Sequence, residues 1–546
     1  MMKQLFDRVG YILTIIVLII LSTGHVNAQY LKTILEVEGT PGSKMMLGTG
    51  ILGLGDINGD GWPDFAVSAQ GIGKTFIYFG GPRILDDKPD IILSGGDNMV
   101  MGDLNGDGKK DLIVHQGIYT SYAPDTVFIY FGRIPTISNP LVLDTIPGLA
   151  IPAELPGGVL SETRFGSAMD IGDINADGYN DLVIGAPNYG RLEGKVYVYF
   201  GKPIFSTAPD VTAIGEKIKS MFGTQVKIGD INGDGLKDLC IGSDSRSLTG
   251  DTLKGSLEIF LGRKDWTFSK SHAYQRLGLK ELNIENLPYF NLLDVNNDGV
   301  MDISCLGNRL ISLLLFFGRQ DTVDWKPSFI LKSPDTTAFR FSHYATDIGD
   351  VNKDGINDFA VPCYVVGAPG VAIFVYLGGK VLSQQRVGIR TRGLVGSTAF
   401  DRTSSLGDIN GDGVNDFGTT VPADYGAYSM DGYVVVLSGD PWFTLVEELG
   451  DFPTDFKLRQ NYPNPFNPST TIEYAIIKRG LVKLVIFDSL GREIIRLVEK
   501  VQESGDYRVP WNGSDAVGNK VSSGVYYYTL TVDQQIQETK KAILVR

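Results

Sequence analysis

One nine-residue pattern occurs seven times in this chain and restricts its fold more than any other feature. Successive copies begin 47, 70, 57, 64, 56 and 58 residues apart, and a short apolar run such as "DLVIGA" follows each one. A period of about 60 residues with room for about four short strands is typical of a propeller blade. Each copy reads D-x-N-x-D-G-x-x-D, and the copies begin at Asp56, Asp103, Asp173, Asp230, Asp294, Asp350 and Asp408.

A second signature recurs with the same period. Later in each unit a strand-like run ends in glycine, as in "VYVYFGK" or "IFLGR". No unit contains a convincing apolar period of about 3.6 residues, which argues against a helical solenoid. We therefore predict an all-β chain whose residues 29–450 form a seven-bladed β-propeller.

The repeated pattern supplies oxygen ligands at the spacing of the first half of an EF-hand loop. Positions 1, 5 and 9 are carboxylates and position 3 is an amide, the backbone carbonyl of position 7 can add an oxygen, and glycine at position 6 permits a sharp turn. This set suits Ca²⁺ better than Mg²⁺, which keeps more water, so we predict up to seven bound calcium ions.

The alternative is a set of Asx-rich turns without metal. Against it, the seven copies crowd 21 Asp residues into short loops, where carboxylates without a cation repel one another. The predicted side-chain ligands are Asp56, Asn58, Asp60, Asp64, Asp103, Asn105, Asp107, Asp111, Asp173, Asn175, Asp177, Asp181, Asp230, Asn232, Asp234, Asp238, Asp294, Asn296, Asp298, Asp302, Asp350, Asn352, Asp354, Asp358, Asp408, Asn410, Asp412 and Asp416.

The third unit, "RFGSAMDIGDINADGYNDLVIGAPNYGRLEGKVYVYFG", resembles an FG-GAP repeat of the integrin α-subunit propeller type. Phe165-Gly166 and Gly185-Ala186-Pro187 match the two motifs that name the repeat. Other units keep the acidic loop and lose one or both motifs. The resemblance covers roughly residues 30–449 and implies a propeller with calcium loops.

Residues 1–28 read as a signal peptide. Lys3 and Arg8 give a positive start, an apolar core follows, and Val26-Asn27-Ala28 supplies the small residues that a signal peptidase requires. We expect the mature chain to be exported, and no other segment is a candidate transmembrane span.

The composition changes after residue 450. Residues 451–465 form a Pro-rich linker, and the short strand patterns over residues 466–546 predict a small immunoglobulin-like β-sandwich. This tail resembles the C-terminal sorting domain of type IX secretion substrates, on "NYPNPFNPSTTIEY", Gly491-Arg492-Glu493, Trp511-Asn512-Gly513 and "SSGVYYYTL". The resemblance implies that secretion machinery carries the chain through the outer membrane, to the medium or the outer cell surface.

Several other residues have plain structural interpretations. We predict that the three cysteines are buried and pack as small hydrophobic residues. The histidines are scattered along the chain, and we predict core or loop positions for them. For the tryptophans we predict packing between blades or a platform for a ligand. Gly48 to Gly53 matches G-x-G-x-x-G, but an acidic loop follows it, so we predict an inner strand. These residues are Cys240, Cys305, Cys363, His115, His272, His343, Trp266, Trp325 and Trp442.

The sequence leaves two functional classes open. A formal net charge of −14 argues against nucleic-acid binding. The favoured interpretation is a cell-surface or secreted binding module, adhesin-like, for a protein or glycan. The alternative is a polysaccharide-degrading enzyme on the same scaffold, in which carboxylates such as Glu154 and Glu162 act as a pair. No nucleophile elbow or Walker A loop is present, so enzymatic activity is the less favoured of the two.

Overall fold

The structure is a computed structural model of the chain. It describes residues 32–82, 85, 87–117, 125–135, 141–154, 163–244, 255–266, 273–278, 290–307, 312–319, 326–333, 339–341, 344–365, 371–383, 387–390, 402–421, 431–440, 457–476, 480–502, 505–532 and 535–545. The signal peptide predicted over residues 1–28 lies outside these ranges, as does the first part of the predicted linker.

Six antiparallel sheets follow one another along the chain, and each is a blade whose strands pair essentially in chain order. In blade 6 the first strand is split in two, and both parts pair with β24. The strands are β2 (Leu47–Gly55), β3 (Asp64–Ala69), β4 (Lys74–Tyr78) and β5 (Ile91–Ser94) in blade 1; β6 (Met99–Gly102), β7 (Asp111–Gln116), β8 (Thr126–Tyr130) and β9 (Leu149–Pro152) in blade 2; β10 (Ala168–Gly172), β11 (Asp181–Ala186), β12 (Lys195–Tyr199) and β13 (Val211–Ile214) in blade 3; β14 (Phe222–Gly229), β15 (Asp238–Ser243), β16 (Ser256–Phe260) and β17 (Ala273–Gly278) in blade 4; β18 (Phe290–Leu293), β19 (Asp302–Leu306), β20 (Ser312–Phe316) and β21 (Phe329–Lys332) in blade 5; and β22 (Phe339–Phe341), β23 (Thr346–Gly349), β24 (Asp358–Val365), β25 (Val371–Tyr376) and β26 (Val387–Arg390) in blade 6. Short helical turns occur at Gln70–Ile72 and Tyr189–Leu192.

Blade 7 joins the two ends of this segment. Its strands β27 (Thr403–Gly407), β28 (Asp416–Val421) and β29 (Tyr433–Ser438) come from the end, and β1 (Lys32–Glu38) comes from the beginning and pairs with β29. The first strand of each blade contacts that of the next, and β27 contacts β2. The blades therefore form a closed ring, and the predicted seven-bladed propeller is confirmed.

The hydrophobic core lies between blades. In β3, Phe65 and Val67 pack against blade 7, whereas the intervening Ala66 packs against blade 2. Side chains alternate between the two faces of a strand, and both faces are covered here. This explains why the runs after the acidic loops are apolar at successive positions instead of at every second one.

The C-terminal segment forms a sandwich of two sheets around Trp511 and Tyr528, each at most 1% exposed. One sheet has the order β30–β31–β34 and the other β33–β32–β35–β36, which confirms the immunoglobulin-like sandwich. The strands are β30 (Lys457–Leu458), β31 (Thr470–Ile476), β32 (Gly480–Phe487), β33 (Glu493–Gln502), β34 (Gly505–Trp511), β35 (Gly524–Val532) and β36 (Gln535–Leu544).

The "NYPNPFNPST" segment covers part of one edge of this sandwich. The Phe466 N–H donates to the Ile543 carbonyl at 2.9 Å, and the Val545 N–H donates to the Phe466 carbonyl at 3.0 Å. Asn461 is buried, with its N–H on the Tyr528 hydroxyl at 2.7 Å. The segment thus satisfies backbone groups that would otherwise be open at the end of β36.

Within the described ranges, no helix has the length and apolar character needed to cross a bilayer.

Candidate metal centre

The seven predicted loops occupy one place in the blade, the connection from the first strand to the second. The residue before position 1 pairs across the hairpin with the position-9 aspartate, as Gly172 does with Asp181 and Gly407 with Asp416. Because the same hairpin repeats in every blade of the ring, all seven loops lie on one side of it, here called the loop face.

The carboxylate at position 9 is turned into the protein. In blade 3, Asp181 Oδ2 accepts the Ile174 N–H at 2.9 Å, and Asp181 Oδ1 accepts the Gly201 N–H at 2.9 Å. Gly201 is the glycine of the strand-ending signature, and its equivalents make the same bond in blades 1, 2, 4, 5 and 6. In blade 7 the Asn410 side chain donates to Asp416 Oδ1 instead, at 3.2 Å. Each position-9 aspartate is at most 1% exposed.

Burial is also the main influence on the acidity of these carboxyls. It raises the pKa of Asp181 to about 7, against the lowering effect of the two N–H donors, and the charges of Asp177 and Asp173 raise it further. The same causes raise the pKa of Asp238 and Asp358 to about 7. The ionised form of position 9 is therefore costly unless positive charge lies close by.

Positions 1, 3 and 5 form the outer part of the loop. In blade 3, Asp173 Oδ2 accepts the Gly178 N–H at 2.9 Å, Asn175 Oδ1 accepts the Asp177 N–H at 3.0 Å, and Asp177 Oδ1 accepts the Tyr179 N–H at 2.9 Å. These three bonds recur in all seven loops. The loop backbone thus fixes all three side chains, and the Asn175 amide lies 3.0 Å from Asp177 Oδ2.

The outer carboxylates have no cationic partner among the described side chains. The ion pairs observed for lysines and arginines in the described ranges involve other acids, for example Asp210 with Lys202 and Asp265 with Arg263. Negative charge thus accumulates at the loop face, where the nearest described lysines, such as Lys353 beside Gly413 of the seventh loop, form no ion pair with it.

The donor set fits calcium in chemistry, since hard oxygens from positions 1, 3 and 5 and the position-7 carbonyl are what this ion prefers. Within the described ranges, however, no three His, Cys, Asp or Glu residues are grouped closely enough to hold a metal ion. Position 3 is an asparagine in every loop, and position 9 faces inward and accepts two hydrogen bonds, as Asp181 does. Its assignment as a calcium ligand stays a prediction, and its structural role was not evident from the pattern.

A second polar cluster lies at the other end of the strands, between blades 1, 2 and 3. His115 is 2% exposed; its Nδ1 lies 3.0 Å from Asp97 Oδ2, and its Nε2 lies 3.9 Å from Asp125 Oδ1. Burial alone would lower the pKa of His115, but the carboxylates of Asp125 and Asp97 outweigh it and raise the pKa to about 9. The two carboxylates thus favour the protonated imidazole, and its burial confirms a core histidine.

Glu154, one of the two candidate catalytic carboxylates, belongs to a third cluster. It contacts Lys195 Nζ and accepts the Tyr197 hydroxyl at 3.1 Å, while Lys195 Nζ lies 4.6 Å from the centre of the Tyr197 ring and 4.8 Å from that of Tyr189. The hydrogen bond from Lys195 is the main reason that the pKa of Glu154 is lowered. An ionised, paired Glu154 is unsuited to act as a general acid.

The remaining sequence predictions divide between confirmed positions and positions outside the described ranges. All three cysteines are free and buried, as predicted. Trp266 is 4% exposed and meets Phe200 of the preceding blade edge-on, which confirms packing between blades. Gly48 to Gly53 lies in β2, the inner strand of blade 1. Trp325, Trp442, His272, His343 and Glu162 lie outside the described residues.

Comparisons with known proteins agree with this architecture. Residues 165–199 match the FG-GAP repeat model, residues 56–114 and 230–305 match the FG-GAP-like repeat model, and residues 478–535 match the FlgD Ig-like domain.

Integrin alpha-4 of Xenopus laevis is 35% identical over 149 residues, 26% of this chain and 13% of the relative. Phosphatidylinositol-glycan-specific phospholipase D of Homo sapiens is 36% identical over 155 residues, 27% of this chain and 18% of the relative. This chain thus spans less than a fifth of either protein. The solved complex of BBS1N with ARL6DN overlaps 76% of this chain and all of that chain, at 10% identity and a TM-score of 0.43. By its matches to the family models, the chain carries an FG-GAP β-propeller followed by a domain similar to the FlgD Ig-like domain.

Proposed function

We propose that this chain is an exported, calcium-stabilised propeller that binds a protein or glycan at the cell surface or outside the cell. One observation carries the proposal: seven hairpin loops of the same pattern lie on one face and hold outer carboxylates that form no ion pair with a described basic side chain. Side chains at positions 1, 3 and 5 of each loop and the position-7 carbonyl would hold the ion. The buried aspartate at position 9 is the fourth proposed side-chain ligand.

The expected contribution of calcium is comparable to the stability of a domain. At a free concentration of about ten times Kd, each independent site adds roughly 1.4 kcal/mol. Seven such sites would add about 10 kcal/mol, within the range of about 5–15 kcal/mol that is usual for a folded domain. This magnitude supports a structural role of the metal.

A binding role is supported by the inner strands that surround the axis of the ring. In the described part of these strands the carboxylates are engaged: Asp170 Oδ2 accepts the Ile228 N–H at 2.8 Å, and Asp347 Oδ2 accepts the Asn357 amide at 2.9 Å. Polysaccharide-degrading enzymes need a carboxylate pair facing the substrate. No described inner strand presents such a pair, so we favour binding over catalysis.

Export is supported by both ends of the sequence. We infer that residues 1–28 direct passage through the inner membrane and that the C-terminal sandwich acts as a type IX sorting domain. Deletion of residues 457–546 tests the second step: the truncated chain should accumulate in the periplasm, whereas the full chain should reach the surface or the medium. Equal export of both would refute the sorting role.

Calorimetry of the mature chain, residues 29–546, tests the metal. We expect millimolar calcium to raise the melting temperature relative to chelator, and magnesium to raise it less. An unchanged melting temperature would refute a structural calcium role.

The ligand is tested with the same chain immobilised in calcium. Surface extracts and a panel of polysaccharides are passed over it, and the flow-through is assayed for newly cut chains. Retention of intact chains supports binding, and cut chains would make the protein an enzyme.

A further inference from the structure

The second residue of every acidic loop is an aliphatic residue buried between blades. In each loop its N–H donates to the position-9 aspartate of the same loop, at 2.9–3.1 Å. Its side chain is at most 1% exposed. These residues are Ile57, Leu104, Ile174, Ile231, Val295, Val351 and Ile409. The loop is therefore anchored to the core directly beside the outer carboxylates at positions 1 and 3.

The carbonyl group of this residue is held by the next blade. It accepts a backbone N–H across six of the seven boundaries, at 2.8–3.1 Å, and at the boundary between blades 4 and 5 the carbonyl of position 1 does so instead, at 2.8 Å. The pairs, donor first, are Val142 and Ile57, Lys202 and Leu104, Arg263 and Ile174, Met301 and Asp230, Gly379 and Val295, Asp440 and Val351, and Gly81 and Ile409. Every boundary of the ring thus has a hydrogen bond that originates in an acidic loop.

Two loops are also joined to the preceding loop by an aromatic ring at position 7. The Tyr179 ring lies over Gly106 of the loop before it, where a Cβ would be 2.2 Å from the ring. The Trp62 ring lies over Gly411 of the seventh loop, where a Cβ would be 2.8 Å from the ring. Both glycines have positive φ, 73° and 77°, but Ala176, Asn297 and Lys353 adopt a similar φ at the same position of other loops. The close approach of the aromatic ring is therefore what requires glycine here.

These contacts differ in what else holds the two blades together. Blades 2 and 3 are consecutive in the chain, so Tyr179 reinforces a boundary that the backbone already connects. Blades 7 and 1 are directly connected in the chain only by the segment from β1 to β2, and β1 is held in blade 7 by its pairing with β29. The two blades also meet where β2 packs against β27 and β28, in the bond from Gly81 to Ile409, and at the contact of Trp62 with Gly411. The covalent link across this boundary therefore depends on the hydrogen bonds between β1 and β29.

We propose that the acidic loops couple ion binding to cohesion between blades, and that Trp62 is the positioning residue through which the seventh loop keeps the ring closed. The inference rests on the proposed calcium binding. An ion that fixes positions 1, 3 and 5 also fixes the carbonyl of position 2. The conformational entropy of the loop is then lost once, for ion binding and for the hydrogen bond between blades together. Loss of the ion at the seventh loop should therefore loosen β1, which is distant in sequence.

Hydrogen–deuterium exchange of the mature chain tests this coupling, with the β1 peptide, residues 32–38, as the readout. We compare the native chain, Trp62→Ala and the matched control Tyr179→Ala over a calcium titration. An aromatic contact of ordinary strength predicts that Trp62→Ala raises the calcium concentration needed to protect β1 by about threefold to tenfold. Tyr179→Ala should change it by less than about twofold. Trp62→Phe, which keeps a ring, should lie between the native chain and Trp62→Ala.

The possible results separate this inference from the proposed function. If titration calorimetry detects no calcium binding to the native chain, the calcium proposal and the coupling both fail. Only the coupling fails if calcium binds but does not change hydrogen–deuterium exchange in β1. It also fails if Trp62→Ala and Tyr179→Ala change the calcium concentration that protects β1 by the same factor. Should Trp62→Ala not fold by circular dichroism, the comparison of Trp62→Phe with Tyr179→Phe decides the matter by the same criterion.

Discussion

The buried and the exposed carboxylate of one acidic loop should contribute very differently to the free energy of unfolding. We compare Asp181→Ala with Asp177→Ala, in the same loop and four residues apart, first in chelator. Asp181 accepts two buried N–H groups, from Ile174 and Gly201, at 2.9 Å each. Its removal leaves both donors without a partner.

The magnitude follows from those two donors. An unsatisfied buried donor costs about 1–3 kcal/mol, so the pair costs about 2–6 kcal/mol. Removing a carboxyl whose ionised form is already disfavoured returns part of this, since burial raises the pKa of Asp181 to about 7. We therefore expect Asp181→Ala to lower the free energy of unfolding by about 2–4 kcal/mol in chelator.

Asp177 is exposed, and water can replace its contacts with Asn175 and Tyr179. In chelator we expect Asp177→Ala to change the free energy of unfolding by less than about 0.5 kcal/mol. In saturating calcium the same variant should lose the contribution of one ion, roughly 1.4 kcal/mol at about ten times Kd.

Urea denaturation followed by fluorescence measures both variants, with the blade 4 pair Asp238→Ala and Asp234→Ala as a repeat. If both variants of a pair lose the same stability in chelator, position 9 is not the internal anchor that its hydrogen bonds indicate. If Asp177→Ala is insensitive to calcium, that loop does not bind the ion through position 5.

Two further predictions concern the other end of the blades. The pKa of His115 is raised from 6.5 to about 9, so its contribution to stability is fully present below about pH 6.5 and is lost as pH rises through about 9. The difference in free energy of unfolding between the native chain and His115→Gln should therefore shrink from pH 7 to pH 10, and a constant difference would contradict a buried imidazolium. In Gly185→Ala the new Cβ would lie 2.1 Å from the Gly223 carbonyl oxygen of the next blade. We expect a loss of about 1–3 kcal/mol in urea denaturation, whereas Gly524→Ala, with no atom within 4 Å of the new Cβ, should be nearly neutral; equal effects would show that the close approach relaxes without cost.

Much of the fold could be predicted because the information is local and repeated. The acidic pattern, the apolar run and the strand-ending glycine all lie within one unit, so the period alone determines the number of blades. The burial of the cysteines and the strand position of Gly48 to Gly53 could be predicted from their places relative to the acidic loops. The residue at position 2 is aliphatic in every copy, and this is the sequence signal of its burial between blades.

The candidate site was predicted only in part. As a linear series of oxygens, the loop gives positions 1, 3, 5 and 9 the same role. Position 9 differs because its second hydrogen-bond donor, Gly201 in the case of Asp181, is 20 residues away on another strand. A pattern of nine residues contains no information about that donor.

The tertiary structure alone decided which distant residues meet. The pairing of β1 with β29, the placement of His115 between Asp97 and Asp125, and the contact of Trp62 with Gly411 each join segments from different blades or connections. The sequence by itself determined a ring of seven similar units with acidic loops on one face, because each unit specifies its own strands. How the units hold one another, and how the ring closes, depends on contacts between units, where the residues are not repeated and only their positions in space bring them together.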